Sequence, residues 1–306
     1  MKKCDRCGRD AVTFIRYSGA HLCREHFLEF FEKRVKKELR RQADLHDVEV
    51  VALAVSGGKD SMVMMHMLLK ILGERRNLAL HAITVDEGIA GYRPESMVKA
   101  EKNCRELGIE HHLVSFKDVV GITMDEIAGL PIKTTPCSYC GVFRRKCLNT
   151  RARELGAGRL STGLNLDDTA QSIFMNFARG DVAKLARLGP HGRVQEGLVP
   201  RILPLRLIPE KECYLYAVLN KIDFHDGECP YSERALRGKY RNILNGLEKD
   251  TPGTRHALLQ SHDAITDALV KSFPPAKLNK CGECGEPTLN TICKSCSMLR
   301  DLNGMR

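Results

Sequence analysis

Residues 48–73 combine a strand, a glycine-containing loop and a helix in immediate succession. Residues 48–55, VEVVALAV, form an apolar run rich in β-branched side chains, which predicts a buried strand. The loop SGGKDS follows at residues 56–61, and the apolar pattern MVMMHMLLKIL then predicts a helix that ends at Gly73. Glycines let a backbone approach an anion closely, and the unpaired N–H groups at a helix N-terminus attract phosphate. The segment therefore predicts a phosphate-binding loop, with Ser61 as the N-cap of its helix.

Strands and helices continue to alternate after this loop. The runs that predict strands cover residues 78–85, 110–116 and 158–163, and those that predict helices cover residues 94–107, 141–156 and 167–178. Such alternation indicates an α/β fold with a doubly wound parallel sheet, which binds its ligands at the carboxyl ends of the strands. We therefore expect SGGKDS, the Val85-Asp86 step, PCSYCG (136–141) and TGLNLDD (162–168) to converge on one crevice.

Composition restricts the class of protein. A chain of 306 residues has room for one main domain with small lobes. It contains no apolar run of about 18 residues that would span a bilayer, and its start, MKKCDRCGRD, lacks the apolar segment of a signal peptide. We therefore expect a cytoplasmic protein that makes no membrane contact. The formal net charge of +10 favours an anionic partner such as a nucleic acid.

Eight metal-ligating side chains fall into two sets with zinc-site spacing. Because cytosolic thiols stay reduced, the 13 cysteines indicate metal binding or catalysis rather than a disulfide framework. The N-terminal set consists of Cys4, Cys7, Cys23 and His26, and the C-terminal set consists of Cys281, Cys284, Cys293 and Cys296. Each set supplies the four ligands of a tetrahedral site with no open position. We expect two structural Zn²⁺ ions, which stabilise lobes too short to build a core of their own.

The other cysteines pose a separate question. They are Cys104, Cys137, Cys140, Cys147, Cys213 and Cys229. Two of them lie in helical patterns and are expected to be small core residues, whereas Cys137 and Cys140 form a Cys-x-x-Cys pair without a second pair nearby. Cys229 precedes a proline in a loop, a feature of some iron–sulfur ligands, and is favoured over Cys147 as a third partner.

The motifs together resemble a known family. SGGKDS is similar to the signature of the PP-loop ATP pyrophosphatases, which split ATP between its α and β phosphates. With PCSYCG, TGLNLDDTA, ECPYS and a zinc lobe at each end, the chain resembles the tRNA uridine 2-thiolation enzymes. CGVFRR and MNFARGD look more like the branch that modifies the wobble uridine than the branch that modifies 5-methyluridine in the T-loop.

This resemblance implies a reaction and its cofactors. ATP would adenylate the C2 oxygen of a tRNA uridine, and sulfur would replace that oxygen. Cys137, Cys140 and Cys229 would hold a [4Fe-4S] cluster whose fourth iron has no protein ligand and presents the sulfur. Asp168, in the LDD stretch, would be a Mg²⁺ ligand or a proton acceptor. The sulfur donor would be free sulfide or a ubiquitin-like thiocarboxylate protein, and the enzyme would be a homodimer.

Further roles follow for the residues around the ATP. The residues implied to hold its phosphates are Ala54, Ser56, Gly57, Gly58, Asp60 and Ser61. Lys59 is a charge partner of the phosphates, as is Arg144 or Arg145. Val85 would contact adenine, and Gly163 would let the nucleotide approach the end of the fourth strand.

The same interpretation divides the chain into four parts. We expect an N-terminal zinc lobe at residues 1–30, a PP-loop domain at 31–225, a helical part at 226–276 that contributes the third cluster cysteine, and a zinc ribbon at 277–306. Basic stretches at 33–41, 143–146 and 233–241 are expected to contact tRNA phosphates.

Two alternatives remain open at this stage. One is a thiolase that carries sulfur as a persulfide on Cys137 or Cys140 and has no cluster. The other is a tRNA-binding zinc protein whose nucleotide loop is not catalytic.

Overall fold

A parallel sheet of five strands forms the centre of the molecule. The structure is a computed structural model that describes residues 2–190, 195–232 and 236–305. The strands of this sheet are β3 (Val50–Ala54), β4 (Ala79–Asp86), β5 (Glu110–Ser115), β6 (Arg159–Thr162) and β7 (Arg201–Ile202). Their spatial order is β5-β4-β3-β6-β7, and every neighbouring pair is parallel. The predicted doubly wound α/β fold is thereby confirmed, with β7 as a strand that the sequence pattern did not indicate.

Helices connect the strands and extend the chain beyond the sheet. In chain order they are α1 (Arg24–Gln42), α2 (Lys59–Leu72), α3 (Arg93–Glu106), α4 (Phe116–Val120), α5 (Met124–Ala128), α6 (Pro136–Glu154), α7 (Leu166–Ala178), α8 (Val182–Leu185), α9 (Glu210–Leu219), α10 (Arg237–Asp250), α11 (Thr254–Ser272) and α12 (Lys294–Asn303). Within the described residues, no helix is both long and apolar enough to cross a membrane.

Both faces of the sheet are buried, which explains why β3 reads as an uninterrupted apolar run. Side chains alternate along a strand, so Val51 and Leu53 pack on one face and Ala52 packs on the other. The first face is covered by a cluster that includes Phe31 of α1 and residues of α2 and α9, and the second by one that includes Phe143 of α6. The connection from β3 to β4 leads to one edge of the sheet, while β6 pairs on the opposite side of β3. A topological switch point therefore lies beside the glycine loop.

Two predicted helix starts were wrong. Helix α6 begins at Pro136 rather than at residue 141, because Thr135 is its N-cap and proline suits the first helical position. Cys137 and Cys140 therefore lie in the first turns of a helix. Helix α2 has Gly58 as its N-cap instead of Ser61.

Small elements form the two ends of the chain. An antiparallel pair of strands, β1 (Thr13–Ile15) and β2 (Ala20–Leu22), precedes α1, and a second pair, β8 (Asn279–Lys280) and β9 (Pro287–Thr288), precedes α12. Helix α11 packs against α7 through a cluster that contains Leu259 and Ile173.

Candidate functional site

The glycine loop at the end of β3 has a backbone that only glycine adopts without strain. Gly57 has a φ of +86°, and a Cβ added there would lie 1.9 Å from the carbonyl oxygen of Ser96. The Ser61 hydroxyl stabilises the loop from inside, since it donates to the Gly58 carbonyl at 2.8 Å and accepts the Ser56 N–H at 3.0 Å. Because Gly58 is the N-cap of α2, the first N–H groups of that helix open toward the same space, as a phosphate-binding loop requires.

Gly163 packs directly against this loop. A Cβ at Gly163 would lie 2.9 Å from backbone atoms of Asp60 and Ser61. The group that approaches this glycine in the structure is therefore the backbone of the phosphate loop. A glycine here keeps the carboxyl end of β6 in contact with the phosphate loop.

Acidic side chains and one lysine surround the start of α2. Lys59 Nζ lies 3.0 Å from Asp60 Oδ2 and 2.7 Å from Glu210 Oε1. Burial opposes the charge on Lys59, but its two acidic neighbours outweigh burial and raise its pKa above the usual value. Burial raises the pKa of Asp60, and the nearby Asp168 carboxylate raises it further. In the described structure Asp60 Oδ1 is buried without a hydrogen-bond partner.

Asp168 lies on the first turn of α7 and faces this group. Its N–H donates to the Asn165 side chain at 3.0 Å, so Asn165 is the N-cap of α7. Burial raises the Asp168 pKa, while Arg237 of α10, whose Nη1 lies 3.2 Å from Asp168 Oδ1, opposes that rise. Two neighbouring carboxylates with an unsatisfied buried oxygen fit the oxygen ligands that Mg²⁺ prefers. Asp60 and Asp168 are the residues that would hold this ion.

Three thiols from two segments gather on the other side of the crevice. Burial raises the pKa of Cys137, and the neighbouring Cys229 raises it further. Burial also raises the pKa of Cys140, to about 11, and Cys229 and Cys137 are among the charges that contribute. Cys137 Sγ lies 3.4 Å from the Tyr231 carbonyl oxygen, which holds the Cys229 segment against α6. Three soft donors beside an apolar cluster of side chains fit an iron–sulfur cluster, whereas the Cys147 side chain packs inside that apolar core.

The segment that carries Cys229 also runs along the phosphate loop. The His225 N–H donates to the Gly57 carbonyl at 2.9 Å, and Gly58 and His225 form a parallel bridge. One stretch of chain, residues 225–231, therefore contacts both the glycine loop and the Cys-x-x-Cys helix. The expected convergence of these motifs is present in the structure.

Two predicted phosphate partners differ in their surroundings. Arg144 is held by Glu87, with Nε 2.7 Å from Glu87 Oε1, and its Nη2 donates to Cys140 Sγ at 3.1 Å. Its guanidinium therefore belongs to the thiol side of the crevice rather than to the phosphate loop. Burial and the adjacent Arg144 lower the pKa of Arg145. Val85 is buried at the end of β4, and its carbonyl accepts from Arg93 at 2.8 Å.

Sequence reasoning did not identify the three residues that link these parts: Glu87, Arg93 and Arg237. Glu87 follows directly on the Val85-Asp86 step, and Arg237 lies in the basic stretch 233–241, of which residues 233–235 are outside the described structure. Phe143, in the basic stretch 143–146, is a core residue, so only part of that stretch is available to RNA.

The two terminal ligand sets have the geometry of tetrahedral metal sites. In the N-terminal set, Cys4 Sγ and Cys23 Sγ each lie 3.4 Å from His26 Nδ1, and Cys7 Sγ lies 3.7 Å from Cys23 Sγ. A zinc tetrahedron with Zn–S bonds of about 2.3 Å has sulfur–sulfur edges of about 3.8 Å. All ligand atoms of the C-terminal set likewise lie within 4.8 Å of one another. Backbone N–H groups there lower the pKa of Cys281 to about 6, which favours the thiolate that a metal needs.

The fold and this crevice define a class of protein. The structure combines a parallel sheet with a glycine loop at the switch point and carboxylates beside it, which is the arrangement of a PP-loop ATP-binding protein. The family model described as the PP-loop domain matches residues 28–247. A second model, the N-terminal LIM domain of the 2-thiouridine synthetase TtuA, matches residues 3–28. The chain belongs to the family of PP-loop tRNA 2-thiolation proteins.

Relatives of this family match over nearly the whole chain. The tRNA 2-thiolation protein NcsA of Haloferax volcanii is 38% identical, over 99% of this chain and 100% of its own length. Cytoplasmic tRNA 2-thiolation protein 1 of Xenopus laevis is 35% identical, over 98% of this chain and 88% of its own. Among solved structures, the U34-tRNA thiolase NcsA from Methanococcus maripaludis with its [4Fe-4S] cluster is 37% identical and superimposes with a TM-score of 0.86, covering 99% of this chain and 97% of that one.

Proposed function

We propose that this protein is an ATP-dependent tRNA sulfurtransferase that converts a tRNA uridine to 2-thiouridine. The observation that carries the proposal is the path of residues 225–231, which contact the glycine loop through His225 and carry Cys229 to the side of Cys137. An ATP-binding loop and three thiols therefore open onto one crevice. Activation of an oxygen and delivery of sulfur would need this proximity.

The chain's own residues would first bind and orient ATP. The backbone around Ala54, Ser56, Gly57, Gly58 and Asp60, together with the Ser61 hydroxyl, would hold the phosphates. Lys59 would balance phosphate charge, and Asp60 and Asp168 would hold Mg²⁺. The C2 oxygen of the uridine would attack the α-phosphorus, with cleavage of the bond to pyrophosphate. Sulfide would then form the C–S bond at C2, and AMP would leave with the former carbonyl oxygen.

Cys137, Cys140 and Cys229 would hold the [4Fe-4S] cluster. When bound, the cluster would supply an iron without a protein ligand, a Lewis acid that presents sulfur at the right position. The similar thiolase from Methanococcus maripaludis contains a [4Fe-4S] cluster, which supports this assignment. The two outer ligand sets would hold structural Zn²⁺.

A pair of matched variants tests the cluster assignment. Anaerobically purified Cys229→Ala should lose its iron, acid-labile sulfide and thiolation activity but keep its zinc. Cys147→Ala, a change in the buried core of the same region, should keep its iron. Iron retained in the Cys229 variant and lost from the Cys147 variant would refute the ligand set. Active wild-type protein without iron would instead favour the persulfide alternative.

We propose the wobble uridine as the modified base. The relative from Methanococcus maripaludis is named a U34-tRNA thiolase, and its similarity to this chain covers nearly the full length of both proteins. An isolated anticodon stem-loop should therefore be thiolated, while an isolated T-arm should not. Mass spectrometry of nuclease-digested tRNA that found sulfur on the T-loop nucleotide alone would overturn the position without affecting the chemistry.

The remaining partners are part of the same proposal. The enzyme would act in the cytoplasm as a homodimer and take sulfur from free sulfide or from a ubiquitin-like thiocarboxylate protein. Turnover with sulfide as the only sulfur source would support the first donor. Light scattering would report the mass of the assembly.

A further inference from the structure

Glu87 is a buried carboxylate shared by two arginines. Its side chain is 3% exposed, and its Oε1 lies 2.7 Å from Arg144 Nε. Its Oε2 lies 2.7 Å from Arg93 Nε, an ion pair without a hydrogen bond, because the Arg93 Nε–H donates to the Val85 carbonyl. It follows β4 directly, at the carboxyl edge of the sheet. A carboxylate so far from water needs a cation beside it, and either arginine alone would supply one.

The two arginines extend to opposite sides of the crevice. Arg93 Nη1 donates to the Ser56 carbonyl of the phosphate loop at 2.9 Å, and Arg93 Nε donates to the Val85 carbonyl at 2.8 Å. Arg144 Nη2 donates to Cys140 Sγ at 3.1 Å. One carboxylate therefore connects the ATP-binding loop to the Cys-x-x-Cys helix.

The position of Arg144 calls for a function beyond neutralising Glu87. Arg93 is 4% exposed and pairs with the same carboxylate, whereas the Arg144 side chain is 48% exposed and would be mobile on most surfaces. Glu87 holds the Arg144 guanidinium in one orientation, and that orientation directs an N–H group at a sulfur atom. Hydrogen bonds and positive charge at ligand sulfurs stabilise the more negative, reduced state of an iron–sulfur cluster.

We infer that Arg144 is a positioning residue for the iron–sulfur group bound through Cys140, and that Glu87 acts through Arg144. This inference rests on the proposed function, since it takes Cys140 as a cluster ligand. Arg144 donates a charge-assisted hydrogen bond to the ligand sulfur and favours the reduced cluster. Glu87 fixes the donor and ties its position to the loop that binds ATP.

The test uses full-length, anaerobically prepared protein with its cluster. Arg144→Gln should shift the reduction potential to a more negative value and release iron to a chelator about 10-fold faster or more. Glu87→Gln should shift both quantities in the same direction. The double variant should be no worse than Arg144→Gln alone, because Glu87 acts through the arginine. Arg144→Lys, which keeps the charge without the fork-shaped donor, should fall between wild type and Arg144→Gln.

Arg151→Gln is the matched control. Arg151 lies on the same helix but pairs with Glu154 and His112, so its loss should leave the reduction potential unchanged. An unchanged potential and unchanged iron release in Arg144→Gln would overturn the inference. Fully additive effects of the two single variants would overturn the role of Glu87. Because Arg144 is half exposed, its variant should fold even if Glu87→Gln does not. Wild-type protein that binds no iron would instead refute the proposed function itself.

Discussion

Gly57→Ala tests the geometry of the phosphate loop. A left-handed backbone costs a non-glycine residue about 1–2 kcal/mol, and Gly57 has a φ of +86°. The added Cβ would also lie 1.9 Å from the Ser96 carbonyl oxygen, so it must retreat by about 1.5 Å to reach ordinary contact. Overpacking of this kind costs about 1–3 kcal/mol more. We expect a total destabilisation of about 2–5 kcal/mol and a displaced loop.

Gly121→Ala separates the two contributions. Gly121 has a φ of +74°, but a Cβ there would meet nothing within 4 Å. This variant should therefore lose only about 1–2 kcal/mol from backbone strain and bind ATP like the wild type. Thermal unfolding would measure the stabilities, at about 2 °C per kcal/mol for a chain of this size.

Calorimetric titration with ATP would measure the function of the loop. A displacement of reacting groups by about 1 Å can lower a rate about 100-fold. Gly57→Ala should therefore lose more thiolation activity and ATP affinity than its loss of stability would explain. Equal ATP affinity in the two variants would refute the argument that this loop binds phosphate. Equal melting temperatures would refute the predicted contact with Ser96.

Three further predictions follow from the site. Cys281→Ala should remove one equivalent of zinc, measured by metal analysis, and should lower the melting temperature without a comparable loss of ATP binding. A variant that is as stable as wild type but has no turnover would instead assign the C-terminal lobe to tRNA docking. Burial raises the pKa of Asp168, so ionisation of this carboxyl weakens the fold as the pH rises above its pKa in the unfolded chain. Asp168→Asn should therefore melt no lower than wild type at pH 7. It should nevertheless lose Mg²⁺-dependent turnover. Near pH 3 that carboxyl is mostly neutral in both states, so most of any stability advantage of Asp168→Asn should disappear. An advantage that grows toward low pH would contradict the predicted direction.

Much of the fold was encoded locally. The apolar run before SGGKDS predicted β3, because a strand buried on both faces favours apolar side chains at successive positions. The terminal ligand sets could also be predicted from the sequence, since each set lies within a stretch of fewer than 30 residues. Chelating pairs with such short spacing can converge independently of the fold of the rest of the chain. Helix α6 was mispredicted at its start, because Cys-x-x-Cys occurs both in loops and on helix turns.

The tertiary structure decided which distant residues act together. Cys137 and Tyr231 are separated by 94 positions, and Asp168 and Arg237 by 69, yet each pair is in contact. No periodicity records such pairs, because a helical or strand pattern describes only which face of its own element is buried. Sheet order brings β3, β4 and β6 together at one edge, and Glu87, placed there by β4, can then hold an arginine from α3 and another from α6. Sequence determined most of the elements and the candidate metal ligands, and packing across the sheet determined the crevice that they share.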